Sequence, residues 1–179
     1  MRLVLVLFVA LLSIVGGDAH ARREFPSQTQ RAGGPRVDRI TITEKGIFRA
    51  KIRSQKQDIN SPTGGVRPLA TITLIKNTET FVPNAGMHFG IRYMIRGFPR
   101  GAKVPIKVVQ RYPIAGLKNP RTGKTTYSYQ QTSFKTIGYP AFEGYHLGAA
   151  WELVPGIWSF EIWYGGRLLA EQKFELITQ

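Results

Sequence analysis

One stretch of this sequence is similar to a phosphate-binding loop, the motif that holds nucleotide phosphates in many enzymes. Gly123-Lys124-Thr125 matches the end of that motif. The motif also needs a glycine five positions before Gly123, and Lys118 stands there instead. No helical pattern follows whose N-terminus would bind phosphate. We therefore predict an exposed strand-to-strand turn carrying Lys118, Arg121 and Lys124, and no nucleotide-binding site.

Other side chains with catalytic potential are few. The sequence has no cysteine, and after residue 21 its histidines are His88 and His146. Each is expected on a strand surface or rim, because a structural zinc site would also need carboxylates. No Gly-x-Ser-x-Gly motif occurs, and a pairing of Glu143 with Glu152 is no more specific than any two acids of a β-protein. We predict no catalytic residue, no cofactor and no metal site, and hence a protein that is not an enzyme.

The first 21 residues have the pattern of a signal peptide. Arg2 precedes an apolar run from Leu3 to Val15, and Ala19-His20-Ala21 is a small-x-small cleavage site. The run is shorter than the ~20 residues that span a bilayer as a helix, so a retained anchor is the less favoured alternative. We predict a signal peptide at residues 1–21, a flexible leader at 22–36 and one folded domain at 37–179.

The composition indicates where the protein works and what it meets there. An exported chain without cysteine suits a bacterial periplasm, so we predict a periplasmic or secreted protein. The formal net charge is +14. Such a charge attracts anionic partners, which include acidic glycans, lipopolysaccharide, nucleic acids and acidic proteins. Solubility alone is the alternative explanation for the charge, and it stays open.

The last thirty residues predict a β-hairpin. Gly165-Gly166 suits a two-residue turn, since both glycines can take a positive φ. Residues on either side alternate with period two, as in a half-buried strand. The face expected to point inward carries Trp158, Phe160, Ile162 and Tyr164, and in the return strand Leu168, Ala170, Phe174 and Leu176. Trp163 lies on the other face, where it is either an exposed aromatic platform or covered by a loop.

Two earlier stretches, residues 87–95 and 103–111, alternate in the same way. If they pair as a hairpin, one sheet face carries five basic residues: Arg92, Arg96, Lys103, Lys107 and Arg111. Like charges on one face repel by a few tenths of a kcal/mol each unless an anion lies among them. This basic face is the predicted binding site. Pro105 cannot donate to a ladder, so we predict an edge position for its strand.

The remaining pattern predicts an antiparallel β-sandwich. Gly46 interrupts the first strand and predicts a bulge or bend. Residues 145–154 are expected to form the strand that leads into the terminal hairpin. No convincing helical period occurs after the predicted signal peptide. About eight strands, separated by segments rich in Gly and Pro, are typical of an all-β sandwich.

Several motifs resemble a known bacterial family, domain of unknown function 3859. They are the Trp151-to-Ile162 block with Pro155-Gly156 and Trp158, the following Gly166-to-Phe174 strand, Glu44-x-Gly46-Ile-Phe48, His88-Phe89-Gly90, and the loop from Pro113 to Gly123. The resemblance covers residues 38–177. It implies an immunoglobulin-like β-sandwich of an exported protein, with no assigned activity and no catalytic residues to carry over.

Three functional hypotheses follow from the sequence. The first is a non-enzymatic binding or accessory module that engages an anionic partner through the predicted basic face. The second is a neutral-glycan or protein-interaction module that uses Trp163 and neighbouring tyrosines. The third, least favoured, is an enzyme with a site on its long loops.

Overall fold

The computed structural model describes residues 33–57 and 66–178, which form strands, connecting loops and one 3₁₀ turn. Eight of these strands have seven or more residues, in agreement with the expected number, and three have two residues each. In chain order they are β1 (Arg36–Gln57), β2 (Val66–Lys76), β3 (Thr80–Phe81), β4 (His88–Phe98), β5 (Lys103–Arg111), β6 (Leu117–Lys118), β7 (Thr125–Thr126), β8 (Ser128–Thr136), β9 (Pro140–His146), β10 (Gly156–Tyr164) and β11 (Arg167–Leu176). The 3₁₀ turn is Ala150–Glu152.

The long strands form two sheets with a common core between them. Sheet A has the order β2-β1-β4-β9, and sheet B has the order β3-β11-β10-β5-β8. Strands β6 and β7 make a separate two-stranded ribbon. Among the described pairs only β11 with β3 is parallel. The predicted all-β antiparallel sandwich is confirmed.

An aromatic cluster centred on Phe89 joins the two sheets. Phe89 is fully buried on β4 of sheet A. Its ring lies 5.4 Å from Trp158, 5.7 Å from Phe160 and 5.4 Å from Phe174, all of sheet B, in edge-to-face contacts. Such contacts add to the free energy gained by burying the rings. The sheets are therefore held together by aromatic packing at this level of the sandwich.

The predicted terminal hairpin is present. Strands β10 and β11 pair antiparallel from Gly156 opposite Leu176 to Tyr164 opposite Arg167. Gly165 and Gly166 have φ values of 55° and 77°, as the two-residue turn requires. The inward face of β10 is the one expected from the alternation, with Trp158 almost fully buried.

One part of the return strand differs from the prediction. Ile162 pairs with Ala170, but Trp163 pairs with Leu168, so Leu169 is an extra residue in a β-bulge. A bulge shifts the alternation of the residues beyond it. Leu168, which was expected inside, is therefore exposed, while Leu169, expected outside, packs against the core.

The expected pairing of the strands at 87–95 and 103–111 is wrong. Strand β4 pairs with β1 and β9 in sheet A, whereas β5 pairs with β10 and β8 in sheet B. The chain between them, residues 99–102, crosses from one sheet to the other. Each strand finds its neighbours far away in sequence, so adjacency along the chain did not predict pairing.

Of the two expectations about strand irregularities, the one for Pro105 needs correction. Strand β5 is not an edge strand, because β8 flanks it on one side and β10 on the other. The β10 ladder ends at Lys107, so Pro105 is paired only with Phe134 of β8 and does not interrupt the other ladder. The bulge or bend expected at Gly46 is found on either side of it, as register shifts between the paired strands at Thr43 and after Ile47.

The expectation of a strand at residues 145–154 is also wrong. Strand β9 ends at His146 and belongs to sheet A, and the chain then makes the 3₁₀ turn before entering β10 of sheet B. The Glu152 carboxylate accepts hydrogen bonds from the backbone N–H groups of Gly148 at 2.5 Å and Ala149 at 3.3 Å. This side-chain acceptor stabilises the crossing between the sheets.

The predicted signal peptide and most of the predicted leader lie outside the described residues. Within residues 33–57 and 66–178, no helix has the length and apolar character needed to cross a membrane.

Candidate functional site

The five basic residues predicted to form one face lie on opposite sides of the sandwich. Arg92 and Arg96 belong to β4 and point away from the core on the outer face of sheet A. Lys103, Lys107 and Arg111 belong to β5 and lie on the outer face of sheet B. A single surface carrying all five does not form, because the two strands belong to different sheets.

Arg92 is occupied within the fold. Its Nε donates to Glu44 Oε2 at 2.7 Å, and its Nη2 donates to the backbone oxygen of Ile72 at 2.8 Å. These partners lie on β1 and β2, so the guanidinium links three strands of sheet A. The side chain therefore contributes to the fold, and two of its N–H groups already have acceptors there.

Two more of the predicted residues, Lys107 and Arg111, belong to a compact cluster on the outer face of sheet B. Arg111 donates through Nε and Nη2 to the carboxylate of Glu161, which is buried. Trp163 Nε1 donates to Glu161 Oε2 at 2.8 Å. The Lys107 ammonium lies 5.0 Å from the centroid of the Trp163 ring, in a cation–π contact. Trp163 is thus half-buried, with one ring face taken by Lys107.

The environment of Glu161 favours its charged form. Burial alone would raise the pKa of this carboxyl. The hydrogen bonds from Arg111 and Trp163, and the nearby charges of Arg111 and Lys107, lower the pKa by more than burial raises it. The net result is a pKa below the ordinary value. Glu161 therefore remains ionised at neutral pH and anchors the cluster.

Replacing Glu161 with glutamine is expected to lower the free energy of unfolding by about 1 kcal/mol at neutral pH. The magnitude is modest because Arg111 is exposed over half of its side chain, so water screens the attraction. A carboxyl whose pKa is lowered on folding stabilises the fold above its unfolded pKa of about 4.3, and this contribution is lost as the pH falls through the folded pKa. Urea unfolding of both proteins should show the difference shrinking below about pH 4.3.

The matched control is Glu175→Gln. It removes the same charge from an exposed position on the neighbouring strand β11, on the same outer face of sheet B as Glu161. It should leave stability unchanged at neutral pH. Equal effects of the two substitutions would show that Glu161 acts only through net charge and not through its hydrogen bonds.

The outer face of sheet A holds basic residues that remain uncompensated. Arg39 on β1 lies directly opposite Arg96 on β4, and both side chains are exposed. No acidic side chain among the described residues pairs with either one. The next pair along the same face is Arg36 opposite Phe98. Arg36 bonds at 3.3 Å to Asp38, and both of these side chains are largely exposed.

A further arginine and an aromatic ring lie beyond the same end of β4. The guanidinium of Arg100 is 5.5 Å from the ring centroid of Tyr139, and both residues are exposed. The backbone beside that ring is tied to β4 by Gly138 N–H, which donates to Ile95 oxygen at 2.9 Å. We call the combined surface the arginine face, and its members are Arg36, Arg39, Arg96, Phe98, Arg100 and Tyr139.

Sequence reasoning identified Arg96 but missed the other members of the arginine face. The alternation of Arg39 with Ile40 and Ile42 does indicate an outward side chain. The missing information was that β1 pairs with β4 in a register that places Arg39 against Arg96.

The segment similar to a phosphate loop is a β-turn ribbon, as predicted. Strands β6 and β7 pair Leu117 with Thr126, and the turn between them is closed by Asn119. Its Oδ1 accepts from the backbone N–H of Arg121 at 2.9 Å, and Gly123 has a positive φ of 69°. The segment leads into strands β7 and β8 and not into a helix.

The two acids considered as a carboxylate pair have separate partners. Glu143 is buried, bonds to Lys135 at 2.7 Å and accepts from Gln131 at 3.4 Å. Glu152 is engaged by the backbone of the 3₁₀ turn, as described above. Each carboxylate therefore stabilises the fold through its own partners.

A depression lies between β1 and the β2–β3 connection, lined in part by Thr43, Lys45 and Asn77. It holds about 150 Å³. Pockets that enclose a small-molecule ligand usually have about 300–1,000 Å³. This depression is too small for that role.

Comparison with known proteins places this chain in a family. A family model described as "Domain of unknown function (DUF3859)" matches residues 36–176. The chain belongs to the DUF3859 family. No curated protein matches this DUF3859 protein.

A solved structure similar to this DUF3859 domain supports the fold. It is the crystal structure of an immunoglobulin-like protein from Pseudomonas aeruginosa, which is 23% identical in sequence and superposes with a TM-score of 0.53. The match covers 80% of this chain and 96% of that chain. At this level of identity the likeness concerns the fold alone, and it identifies the sandwich as immunoglobulin-like.

The two histidines of the DUF3859 domain, each expected at a strand surface, lie side by side. His88 on β4 is directly opposite His146 on β9, and their rings stack with centroids 4.1 Å apart and an interplanar angle of 27°. Burial, and then the proximity of His146, lower the pKa of His88 below its ordinary value. The sequence showed both residues but not that β4 and β9 are neighbours.

Proposed function

We propose that this DUF3859 domain is an exported, non-enzymatic binding module that holds an acidic polysaccharide on the arginine face. The observation that carries the proposal is the direct opposition of Arg39 and Arg96 across β1 and β4. Two exposed guanidinium groups at paired positions repel one another, and an anion between them removes that cost.

The chemistry of the arginine face suits carboxylate or phosphate groups on a chain of sugars. A guanidinium presents a planar fork of donors that matches both anions. Phe98 is 67% exposed and offers apolar ring surface for a sugar ring. Tyr139 is 53% exposed, and Arg100 covers one face of its ring. Asp38 forms an ion pair with Arg36 of this face.

Two sequence features support the same proposal. The net charge of +14 favours association with any polyanion, and the pattern of residues 1–21 would take the chain to a compartment rich in acidic envelope glycans. Arg96 is retained from the basic face predicted by sequence. The other four members of that face play a smaller part, since Arg92, Lys107 and Arg111 have partners within the fold and Lys103 lies on sheet B.

The aromatic-platform alternative has less support. Trp163 is held by Glu161 and Lys107, which leaves a neutral sugar less ring surface than an open platform would offer. We therefore place neutral-glycan recognition second. An enzymatic role has no specific observation in its favour among the described residues, so we place it last.

The proposal is tested by binding of the purified protein to an acidic polysaccharide at two salt concentrations. The double variant Arg39→Glu with Arg96→Glu should weaken binding by roughly tenfold or more and reduce its dependence on salt, because fewer counterions are released. The charge-matched control is Arg121→Glu with Lys124→Glu on the β6–β7 ribbon, which should bind nearly as the wild type.

Three other probes define the outcomes. Duplex DNA and lipopolysaccharide test other polyanions, and a neutral glycan tests the aromatic alternative. Equal losses in the two double variants would mean that overall charge, and not the arginine face, drives binding. Preference for DNA, lipopolysaccharide or the neutral glycan over the acidic polysaccharide would overturn the proposed ligand class.

A further inference from the structure

Strand β8 lies at an edge of sheet B and presents an open backbone there. Within residues 33–57 and 66–178 its one neighbour in the sheet is β5, with which it pairs antiparallel and without a bulge. The opposite edge of the same sheet is the two-residue strand β3. Native proteins shorten their edge strands in this way, or protect them with proline, outward charge or a bulge, because unpaired N–H and C=O groups attract other strands. Strand β8 has nine residues and none of these protections.

The hydrogen bonds to β5 identify the residues of β8 whose backbone faces outward. Tyr112 N–H donates to Tyr127 oxygen, and Ile137 N–H donates to Ala102 oxygen, each at 2.9 Å. Both pairs continue the register of β5 with β8. Hydrogen-bonded pairs alternate with non-bonded pairs along an antiparallel ladder, so the odd-numbered residues of β8 bond to β5. The even-numbered residues direct their N–H and C=O groups away from the sheet, and those before the final turn are Ser128, Gln130, Thr132 and Phe134.

The side chains along this edge are uncharged, although the chain has 25 Lys and Arg residues. The outward side chains of β8 are those of Ser, Gln, Thr and Phe, and they are exposed. Lys135 is the charged residue of β8, and it bonds inward to the buried Glu143 at 2.7 Å. The edge therefore places no charge of its own against an incoming strand.

A row of basic side chains lies one strand away on the same outer face. Its members, on β5, are Lys103, Lys107 and Arg111. Glu161 offsets one charge of this row, whereas Lys103 is exposed and has no acidic partner among the described residues. A strand added to β8 would lie about 10 Å from β5, which is two strand spacings. Glutamate and lysine side chains can meet across that distance.

We propose that the β8 edge binds an extended, acidic segment of a partner protein as an added antiparallel strand. Charge decides between this occupant and a second copy of the chain. Two chains with a formal net charge of +14 each repel one another, whereas an acidic segment is attracted. In such recognition the main-chain hydrogen bonds give affinity and alternate side chains give specificity. Acidic residues at every second position of the segment would lie on the outer face, towards Lys103.

The test uses a peptide of nine residues, the length of β8, in which glutamate alternates with valine and occupies both ends. Calorimetry with the purified protein should show saturable binding of one peptide per chain. Amide hydrogen exchange followed by nuclear magnetic resonance locates the peptide. The N–H groups of Gln130, Thr132 and Phe134 should exchange quickly in the free protein and at least tenfold more slowly with peptide bound. Their odd-numbered neighbours, which already bond to β5, should change little.

Two control peptides separate backbone pairing from charge. Opposed residues of antiparallel strands share a face, so the glutamates of the peptide would direct their N–H groups towards β8. N-methylation at the glutamates removes these donors and should abolish binding. A peptide with lysine in place of glutamate should also fail, because the basic row repels it. If the N-methylated peptide bound as well as its parent, it would not be held as an antiparallel strand, and the proposal would be wrong.

Substitutions in the protein test the same contacts. Thr132→Pro removes an outward N–H group and leaves the ladder with β5 intact, so peptide binding should weaken at least tenfold. Thr132→Val keeps that N–H group and should bind as the wild type. Lys103→Glu should weaken binding several-fold, whereas the charge-matched Arg121→Glu on the β6–β7 ribbon should change it little. If Thr132→Pro fails to fold, the N-methylated peptide and the exchange data on the wild type still decide.

Three further outcomes would overturn the proposal. The first is the absence of saturable binding. The second is a dimer in analytical ultracentrifugation that Thr132→Pro dissociates, because a second copy would then occupy the edge. The third is loss of peptide binding in the Arg39→Glu, Arg96→Glu double variant, which would place the peptide on the arginine face. We expect that double variant to bind the peptide fully and Thr132→Pro to keep polysaccharide binding, so the two proposals fail independently.

Discussion

Replacement of Phe89 with alanine is expected to lower the free energy of unfolding by about 4 kcal/mol, the largest effect of any substitution considered for this domain. The ring is completely buried and contacts Trp158, Phe160 and Phe174 across the interface between the sheets. Its loss removes apolar burial and leaves a cavity that rigid neighbouring strands cannot fill. Urea unfolding monitored by tryptophan fluorescence measures the change, since Trp158 is one of the rings in contact.

Phe134→Ala is the matched control, because it deletes the same side chain from a position that is 71% exposed. We expect a change within about 0.5 kcal/mol, as for most surface substitutions. Similar losses at the two positions would contradict the assignment of Phe89 to the centre of the core.

Replacement of Gly46 with alanine is expected to cost about 3 kcal/mol. Gly46 has a φ of 131°, and an added Cβ would lie 2.0 Å from the backbone oxygen of Lys76 and 2.8 Å from the backbone nitrogen of Thr78. These are backbone atoms, so the end of β2 would have to move away from β1 to admit a methyl group. The unfavourable φ adds to the cost. Thermal unfolding gives the stability, and hydrogen exchange of the β2 amides would show where the sheet has opened.

Gly101→Ala separates the two contributions to that cost. Gly101 also has a positive φ, of 87°, but an added Cβ would meet no atom within 4 Å. Its substitution should cost about 1 kcal/mol, the lower part of the range for backbone strain alone. If Gly46→Ala were no more harmful than Gly101→Ala, the close approach of β1 to β2 could not be the reason for the glycine.

The parts of the fold that depend on local pattern were predictable. In the terminal hairpin, the alternation around Trp158 fixes which face is buried, and Gly165-Gly166 fixes the turn. Both signals lie within about twenty consecutive residues. The bulge at Leu169 was not predictable, because it depends on how β11 accommodates the neighbouring strand and leaves no mark in the alternation.

Pairing between distant strands could not be obtained from the pattern. Strands β4 and β5 have the alternation and spacing of a hairpin, yet one pairs with β1 and β9 and the other with β10 and β8. The choice between these arrangements rests on the packing of two complete sheets. The predicted basic face required β4 and β5 to pair with each other. Because they belong to different sheets, its five residues lie on two separate surfaces.

The candidate sites followed the same rule. Arg96 and each histidine were recognisable as outward residues of strands. Their counterparts, Arg39 for Arg96 and His146 for His88, became visible only with the register of β1 and β9 against β4. Side-chain type and direction are local properties, whereas the partner across a sheet is not.

The order of strands in sheet B constrains when the domain can fold during its synthesis. Strand β10 lies in the interior of that sheet, beside β5, but every other described strand except β11 precedes it in the chain. Until it appears, β5 and β8 lack the neighbour that completes their sheet, and Phe89 lacks Trp158 and Phe160. A nascent chain should therefore stay unfolded until β10 has been made, and then fold on the slow timescale of sandwiches rich in distant contacts.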